Sequence, residues 1–383
     1  MSMKPLYLDH ASTTSLDPRV LEAMKPYLTT SYGNPGSVHA LGREAKDALD
    51  DARKRVARIL GCDPEEILFV SSGTESINLA LKGVAYALRE RGKHLITSVV
   101  EHPAVLETCK HLESEGFNVT YLPVDQYGMV LPEVLEKALR KDTILVSLMY
   151  ANNEIGTINP VRELAAVARK HGVLFHTDAC QAGSLELNVD FLGVNLLTLN
   201  GSKIYGPKGV GVLYKRKSVS LCPLLHGGGQ EMGLRSGTEN VPAVVGFAKA
   251  LELVQEEKHT ESQRLVVLRD FLIKNLGAIP GARINGHLVQ RLASNVNVSF
   301  SRVDGESLIE ALDTEGIYVS AGSACASFTL EPSHVILALG VDRATAHGTV
   351  RFSLGKETTR EDVERVVEAV SRIVLKLQQK MKR

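Results

Sequence analysis

The sequence predicts an α/β protein: a mostly parallel sheet sandwiched by helices, with a smaller α+β domain attached. Three observations predict it. Short apolar or β-branched runs alternate with helical patterns through the N-terminal part of the chain. The 383 residues exceed the roughly 250–300 at which one core stops growing. Beyond residue 240 the alternation gives way to a long helical stretch and then to more polar strand–helix segments.

The elements follow in order. A first helix sets Ala45, Leu49, Ala52, Val56 and Leu60 on one face, with Asp and Arg opposite. Runs at 67–70, 95–100, 143–150, 173–176, 196–199 and 210–214 read as strands. Their continuous apolar character fits strands covered on both faces. Helical patterns occupy 76–89 and 160–170, and a long one covers 241–276. The last helix carries Val363, Val366, Val370, Ile373 and Leu377 on one stripe, with Thr359 and Asp362 spaced to cap its start. The domain boundary falls within 240–265.

Bulk properties narrow the function. Lys+Arg and Asp+Glu both number 44, so the net charge is zero and no basic field invites nucleic acid. No apolar run approaches the roughly 18 residues of a membrane span. The start lacks the apolar core of a signal peptide. Five cysteines in so long a chain point to a reducing cytoplasm, not a disulfide framework.

Lys203 stands out. It follows the apolar run 196–199 and precedes the turn Tyr205-Gly206-Pro207-Lys208-Gly209. A lysine there can be partly desolvated, which makes its amine nucleophilic and suits a Schiff base. The turn resembles a dinucleotide loop only superficially, since its proline and its place after Lys203 argue against one. Ser71-Ser72-Gly73-Thr74-Glu75-Ser76 follows a strand and opens a helix, which suits a phosphate or simply an ordinary cap. Asp178 ends another strand, where a carboxylate can hold a protonated ring nitrogen. His176 and Cys180 beside it lack the second ligand pair of a zinc site, so no metal is expected. His102 follows a strand and serves either as a satisfied loop histidine or as a plate and proton shuttle for a cofactor ring. Cys325 sits among Ala321, Gly322, Ser323, Ala324 and Ala326, small residues that would let a thiolate travel, or it is one small hydrophobe. The hydrophobe reading is preferred for Cys62, Cys109, Cys180 and Cys222. Arg351, flanked by Val350 and Phe352 on an expected strand, reads as half-buried, which invites a planar carboxylate partner or an internal ion pair.

These residues carry a resemblance to the cysteine desulfurases of iron–sulfur cluster assembly, with the pyridoxal-phosphate (PLP) fold type I of class V aminotransferases. It runs from Tyr7-Leu8-Asp9-His10-Ala11-Ser12-Thr13-Thr14 through Gly33-Asn34-Pro35, Ser72-Gly73-Thr74-Glu75-Ser76 and Glu101-His102. It continues through Asn152-Asn153-Glu154-Ile155-Gly156, Asp178-Ala179-Cys180-Gln181, the Lys203–Gly209 motif and His226-Gly227-Gly228-Gly229-Gln230-Glu231. It closes with Arg235-Ser236-Gly237-Thr238, Ser323-Ala324-Cys325 and Arg351-Phe352-Ser353.

The resemblance implies a seven-stranded sheet in a large PLP-binding domain, 15–255. A small domain, 1–14 with 256–383, carries the cysteine loop. Lys203 would hold PLP as a Schiff base, Asp178 would pair with its ring nitrogen, Gln181 with its hydroxyl, and His102 would stack on the ring. Gly73, Thr74, Asn200 and Ser202 would surround the phosphate, and Thr238 would reach that of a partner in a homodimer. Arg351, Asn153 and Asn34 would bind substrate, with Asn153 near the cofactor as well. Cys325 would take sulfur from L-cysteine, leaving alanine and a persulfide for an iron–sulfur scaffold or another acceptor. Cys325 could also lend a ligand to a cluster on that scaffold.

Two departures stand out. The family usually has Ser or Thr at Asn200 and His at Ser202, so weaker PLP binding is expected. Losing one charged hydrogen bond costs roughly 1.5–3 kcal/mol. His10 replaces a usual Tyr. A selenocysteine lyase, an aminotransferase, or a PLP-poor platform lending its persulfide to a scaffold remain alternatives.

Overall fold

The computed structural model describes residues 5–321 and 331–380. The chain opens with β1 (Leu6–Tyr7), α1 (Pro18–Thr29) and α2 (Ala40–Leu60). Asp17 caps α1, accepting from the Arg19 N–H, with Pro18 set where a missing N–H costs nothing. α2 buries the expected stripe of Ala45, Leu49, Ala52, Val56 and Leu60, and ends on Gly61 at φ 69°.

An alternating stretch follows: β2 (Ile67–Val70), α3 (Gly73–Ala87), β3 (His94–Ser98), α4 (Pro103–Ser114), β4 (Asn118–Leu122), α5 (Pro132–Ala138), β5 (Thr143–Ser147), α6 (Val161–Lys170), β6 (Leu174–Asp178), α7 (Val189–Leu192), β7 (Leu196–Asn200) and β8 (Gly211–Lys215). Seven strands form one sheet in the order β2-β8-β7-β6-β5-β3-β4. β8 is antiparallel to both β2 and β7, so β2 points the same way as the parallel set. The carboxyl ends of β2, β3, β5, β6 and β7 therefore share one edge of the sheet. β4 is the strand the apolar pattern missed. It is an edge strand with one buried residue, so it carries no continuous apolar run.

Side-chain alternation splits the strands between two cores. Phe69, Ile96, Val146, Leu197 and Val212 pack with α1, α2, α6 and the start of α8 (Val241–Gly277). Leu68, Leu95, Leu145, Leu196 and Leu213 pack with α3 and α4. A third core lies beyond the sheet, formed by β9 (Ala282–Ile284), β10 (Asn295–Phe300), α9 (Gly305–Thr314), β11 (Ile317–Tyr318), β12 (Thr349–Ser353) and α12 (Arg360–Lys380), while α10 (His334–Ala338) and α11 (Arg343–His347) pack in a small cluster with Val100 and Ile155.

α8 joins the two parts as one unbroken helix of 37 residues. Ala243 to Leu253 pack under the large sheet, whereas Leu265 to Leu276 pack in the third core. β1 also belongs to the third core, pairing parallel with β11. α12 starts at a reciprocal cap: the Asp362 N–H donates to Thr359 Oγ1 at 3.2 Å and the Thr359 N–H to Asp362 Oδ2 at 2.9 Å.

Phe247 of α8 is fully buried and meets Phe69 edge-on at 6.5 Å between ring centres. Phe247→Ala should lower the unfolding free energy by about 3–5 kcal/mol, read by urea denaturation.

Candidate active site

A cavity of about 240 Å³ lies at the shared edge where the strands end. Gly73 and Thr74 reach it from the start of α3, His102 from the segment after β3, and Asn153 and Glu154 from the turn after β5. Asp178 and Gln181 arrive from the end of β6, and Asn200 and Lys203 from the end of β7. Arg351 comes from β12, in the third core.

Lys203 is half-buried on a single 3-10 turn after β7. Its Nζ donates to the Ser12 carbonyl. The turn is pinned by the N-terminal segment: the Thr14 N–H donates to the Ser202 carbonyl at 2.9 Å, and the Tyr205 N–H to Thr14 Oγ1 at 2.8 Å. Tyr205 adopts a left-handed φ of 59°, a strained conformation that these bonds hold.

Asp178 is 7% exposed and accepts from the Cys180 N–H at 2.9 Å. Gln181 Nε2 donates to the Ala11 carbonyl at 2.9 Å. His102 caps α4: its Nδ1 accepts the Ala104 N–H at 3.0 Å, so Nε2 carries the proton of the neutral ring. Burial lowers its pKa, with Lys203 and His334 pushing the same way against the pull of Asp178. The ring is therefore neutral near pH 7.

The Cβ of any residue replacing Gly73 would come within 2.7 Å of Cys180 Sγ, so the start of α3 lies directly against the end of β6. Asn200 Oδ1 is taken by the Ser202 N–H at 3.2 Å, leaving Nδ2 as the donor on the Gly73 side.

Arg351 is fully buried, not half-buried as the sequence pattern suggests. It donates to Asp9 Oδ1 and Ser12 Oγ, both at 2.6 Å, and to the Asn153 carbonyl at 3.0 Å.

Three expected residues lie apart from this cavity. Ser202 faces Thr14 through its carbonyl. Asn34 is exposed, its Oδ1 accepting the Gly36 N–H at 2.8 Å. Thr238 is exposed, on a segment tied down by Arg235–Glu75 and Arg53–Glu231 ion pairs. Cys325 lies outside the described residues. The sequence pattern gives no role to Asp9, Ser12, Met149 or Glu154, although three of these fall inside quoted motifs; the partners of Asp9, Ser12 and Glu154 lie far away in sequence.

Cys62, Cys109 and Cys180 fit inert thiols. Burial pushes Cys62 and Cys109 up to about 12, and burial with the Asp178 charge raises Cys180 well above the usual thiol range. His176 has both ring nitrogens occupied, by Ser147 at 2.9 Å and Thr198 at 3.0 Å. Burial holds its pKa down to about 4, so the ring stays neutral.

A carboxylate and a lysine amine thus meet at the strand ends of a doubly covered sheet, beside a helix start and opposite a buried arginine, the arrangement of an α/β enzyme site. Residues 6–366 match the aminotransferase class-V family. The cysteine desulfurase IscS of Methanosarcina thermophila is 52% identical over 98% of this chain and 93% of that protein. That of Archaeoglobus fulgidus is 46% identical over 97% of each. Among solved structures, a NifS-like protein superposes with a TM-score of 0.92 at 43% identity, covering 97% of this chain and 100% of the other. SspA in complex with cysteine gives a TM-score of 0.82 at 38% identity, covering 91% and 98%. The chain belongs to the aminotransferase class-V family, among its cysteine desulfurases. That family uses PLP.

Glu101, next to His102, supplies a test of the site's electrostatics. It is wholly buried, accepting from Ser98 Oγ at 2.6 Å and the Met149 N–H at 3.1 Å. Burial, helped by the Asp178 charge, raises its pKa to about 8. The folded chain thus holds a proton that the unfolded chain has lost, and stability falls as pH rises through that window. Glu101→Gln should match the wild type near pH 5 and gain on it toward pH 8 by at most about 1.4 kcal/mol per unit, read as unfolding free energy against pH.

Proposed function

We propose that this cysteine desulfurase binds PLP in the 240 Å³ cavity and moves the sulfur of L-cysteine to Cys325. One observation carries the reading: Lys203, Asp178, His102 and Arg351 line a single cavity although they come from four separate segments. The residues fit the cofactor. Lys203 offers an amine for its aldehyde, buried Asp178 a carboxylate for its ring nitrogen, and Gln181 an amide for its hydroxyl. The start of α3 at Gly73 and Thr74, together with Asn200 Nδ2, offers donors for its phosphate. Bound PLP supplies an electron sink that makes the substrate's Cα–H acidic.

The protein's own groups do the rest. Arg351 takes the substrate carboxylate, its guanidinium already aimed by Asp9, Ser12 and the Asn153 carbonyl. Lys203 Nζ moves the Cα proton. His102, held neutral by burial, keeps its Nε2 proton available beside the cavity. The Cys325 thiolate attacks the substrate sulfur and an S–S bond forms. The Cβ–S bond breaks, its electron pair stays with carbon, and that carbon takes a proton. Cysteine and the Cys325 thiol thus become alanine and a Cys325 persulfide, with no outside oxidant. The persulfide sulfur then passes to an iron–sulfur scaffold.

Reach supports the assignment of Cys325. Ser320 exchanges backbone hydrogen bonds with Arg351, and Cys325 lies five residues beyond it. Five residues span at most about 18 Å. The exposed Thr238 is proposed to serve the phosphate of a second copy.

The test is alanine and persulfide release from cysteine. Wild type should give both, and Cys325→Ser neither. Lys203→Ala should lose the visible absorbance of the loaded chain. A wild type with no absorbance and no alanine would leave only the PLP-poor docking platform.

Ser202 does not line the cavity, so position 202 offers the phosphate no charged side-chain partner. Ser202→His should tighten PLP about tenfold or more, the worth of one charge-assisted hydrogen bond. Retention of PLP through dialysis measures it.

A further inference from the structure

The chain is described up to Ala321 and again from Glu331, and both flanks are tied to the cavity. On the outgoing side, the Ser320 N–H donates to the Arg351 carbonyl at 3.3 Å, and the Arg351 N–H to the Ser320 carbonyl at 2.7 Å. On the returning side, Ser333 Oγ donates to Glu154 Oε2 at 2.5 Å. His334 Nε2 donates to the Glu101 carbonyl at 3.0 Å. Just below, Val335 and Ile336 share an apolar cluster with Val100 and Ile155. The first turn of α10 therefore touches two walls of the cavity: the segment that carries His102 and the turn that carries Asn153.

Glu154 is an unusual anchor. It is 2% exposed, and burial raises its pKa, opposed by the Ser333 hydrogen bond and the nearby His334 and Arg351. Its backbone is fixed as firmly as its side chain. The Glu154 N–H donates to Asn152 Oδ1 at 2.8 Å, and its carbonyl accepts from Asn295 Nδ2 at 3.0 Å and Asn297 Nδ2 at 3.2 Å. A buried carboxyl costs folding free energy, and an apolar residue would fill the place more cheaply. A polar pair there specifies one register between two segments instead.

We propose that Glu154 and Ser333 are a positioning pair that fixes the chain on the C-terminal side of Cys325 to the cavity wall, so that the thiol meets the substrate sulfur. This rests on the desulfurase reading. Neither residue touches the reacting atoms. Glu154 acts through Ser333 on the returning chain, and through its own turn on Asn153, whose carbonyl holds Arg351.

Ser333 has a second task, which the test must separate. Its Oγ also caps α10, accepting the Val335 N–H at 3.1 Å and the Ile336 N–H at 3.4 Å. Ser333→Asp keeps a capping acceptor but cannot donate, and it sets a second carboxylate against Glu154. Adding Glu154→Gln returns a donor, so the double variant re-forms the hydrogen bond with its polarity reversed.

The experiment is single-turnover persulfide formation on PLP-loaded protein given cysteine, read by alkylation and mass of the Cys325 peptide. PLP loading, substrate affinity from spectral titration and the thermal midpoint are read beside it. Ser333→Asp should slow persulfide formation about tenfold or more, about 1.4 kcal/mol, while loading and affinity stay within about twofold. The double variant should recover to within about threefold of wild type. Ser333→Ala removes the donor without adding charge. It should slow the step about threefold to tenfold, and it decides the matter if Ser333→Asp fails to fold. A wild-type rate in Ser333→Ala, equal slowness in Ser333→Asp and the double variant, or loss of PLP in step with rate would each overturn the pair. A wild type that never forms a persulfide at Cys325 sinks the desulfurase reading and the pair with it. A normal wild type beside an unaffected Ser333→Ala sinks the pair alone.

Discussion

The N-terminal segment from Asp9 to Thr14 is the stitch on which the site depends. One side of it is bound to the smaller unit. Asp9 and Ser12 hold Arg351, the Ala11 N–H donates to Ser353 Oγ at 2.9 Å, and β1 before it pairs with β11. The other side is bound to the end of the large sheet. Ser12 accepts from Lys203, Ala11 accepts from Gln181, and Thr14 fixes the turn that carries Lys203. The lysine and the arginine assigned to cofactor and substrate thus face one another only while the two units are docked. α8 holds that docking along about 55 Å of continuous helix. A lost contact in either core would be felt in the cavity through this seam.

Much of the fold was legible in the sequence because the central strands are covered on both faces. β2, β5 and β7 read as continuous apolar runs, and the structure divides their side chains between two cores. β4 was not legible, since an edge strand with four partly or fully exposed residues has no such run. The site divided in the same way. Lys203, Asp178 and His102 each follow a strand, so their place at the sheet's edge could be read locally. Asp9, Ser12 and Glu154 could not be read so. Their partners are 342, 339 and 179 residues away, and nothing local tells a carboxyl that holds an arginine from a solvated one. Arg351 was read as half-buried for that reason. Its flanking apolar residues signalled the strand but not the acceptors that let the whole guanidinium go under.

Titratable groups beneath the cavity are arranged to stay uncharged. His176 gives both ring nitrogens to hydroxyls, and Glu101 sits where burial favours its proton. Asp178 lies among them, near Glu101, His102, His176 and Cys180. Keeping those neighbours neutral leaves its carboxylate as the dominant charge on the floor of the cavity. A ring nitrogen placed there would meet one clear partner. The raised thiol of Cys180 belongs to the same design, because a thiolate beside Asp178 would compete both for the cofactor's aldehyde and for its charge.

Moving sulfur off such a site sets a conflict between holding and letting go. The substrate must be fixed closely enough for an in-line attack, yet the thiol that takes the sulfur must later present it elsewhere. Among the described residues, the fold fixes both flanks of the segment. Ser320 is bound to the backbone of Arg351, the residue assigned to the substrate carboxylate. Ser333 is bound to Glu154, one residue from Asn153. Both attachments are hydrogen bonds to parts of the wall that are themselves immobilised, Arg351 by Asp9 and Glu154 by Asn295 and Asn297. Anchoring the two flanks to the groups that hold the substrate ties the thiol's starting point to the substrate's position. A buried carboxyl at 154 makes physical sense in those terms: what it contributes is a fixed point of return, which no apolar side chain of the same size would specify.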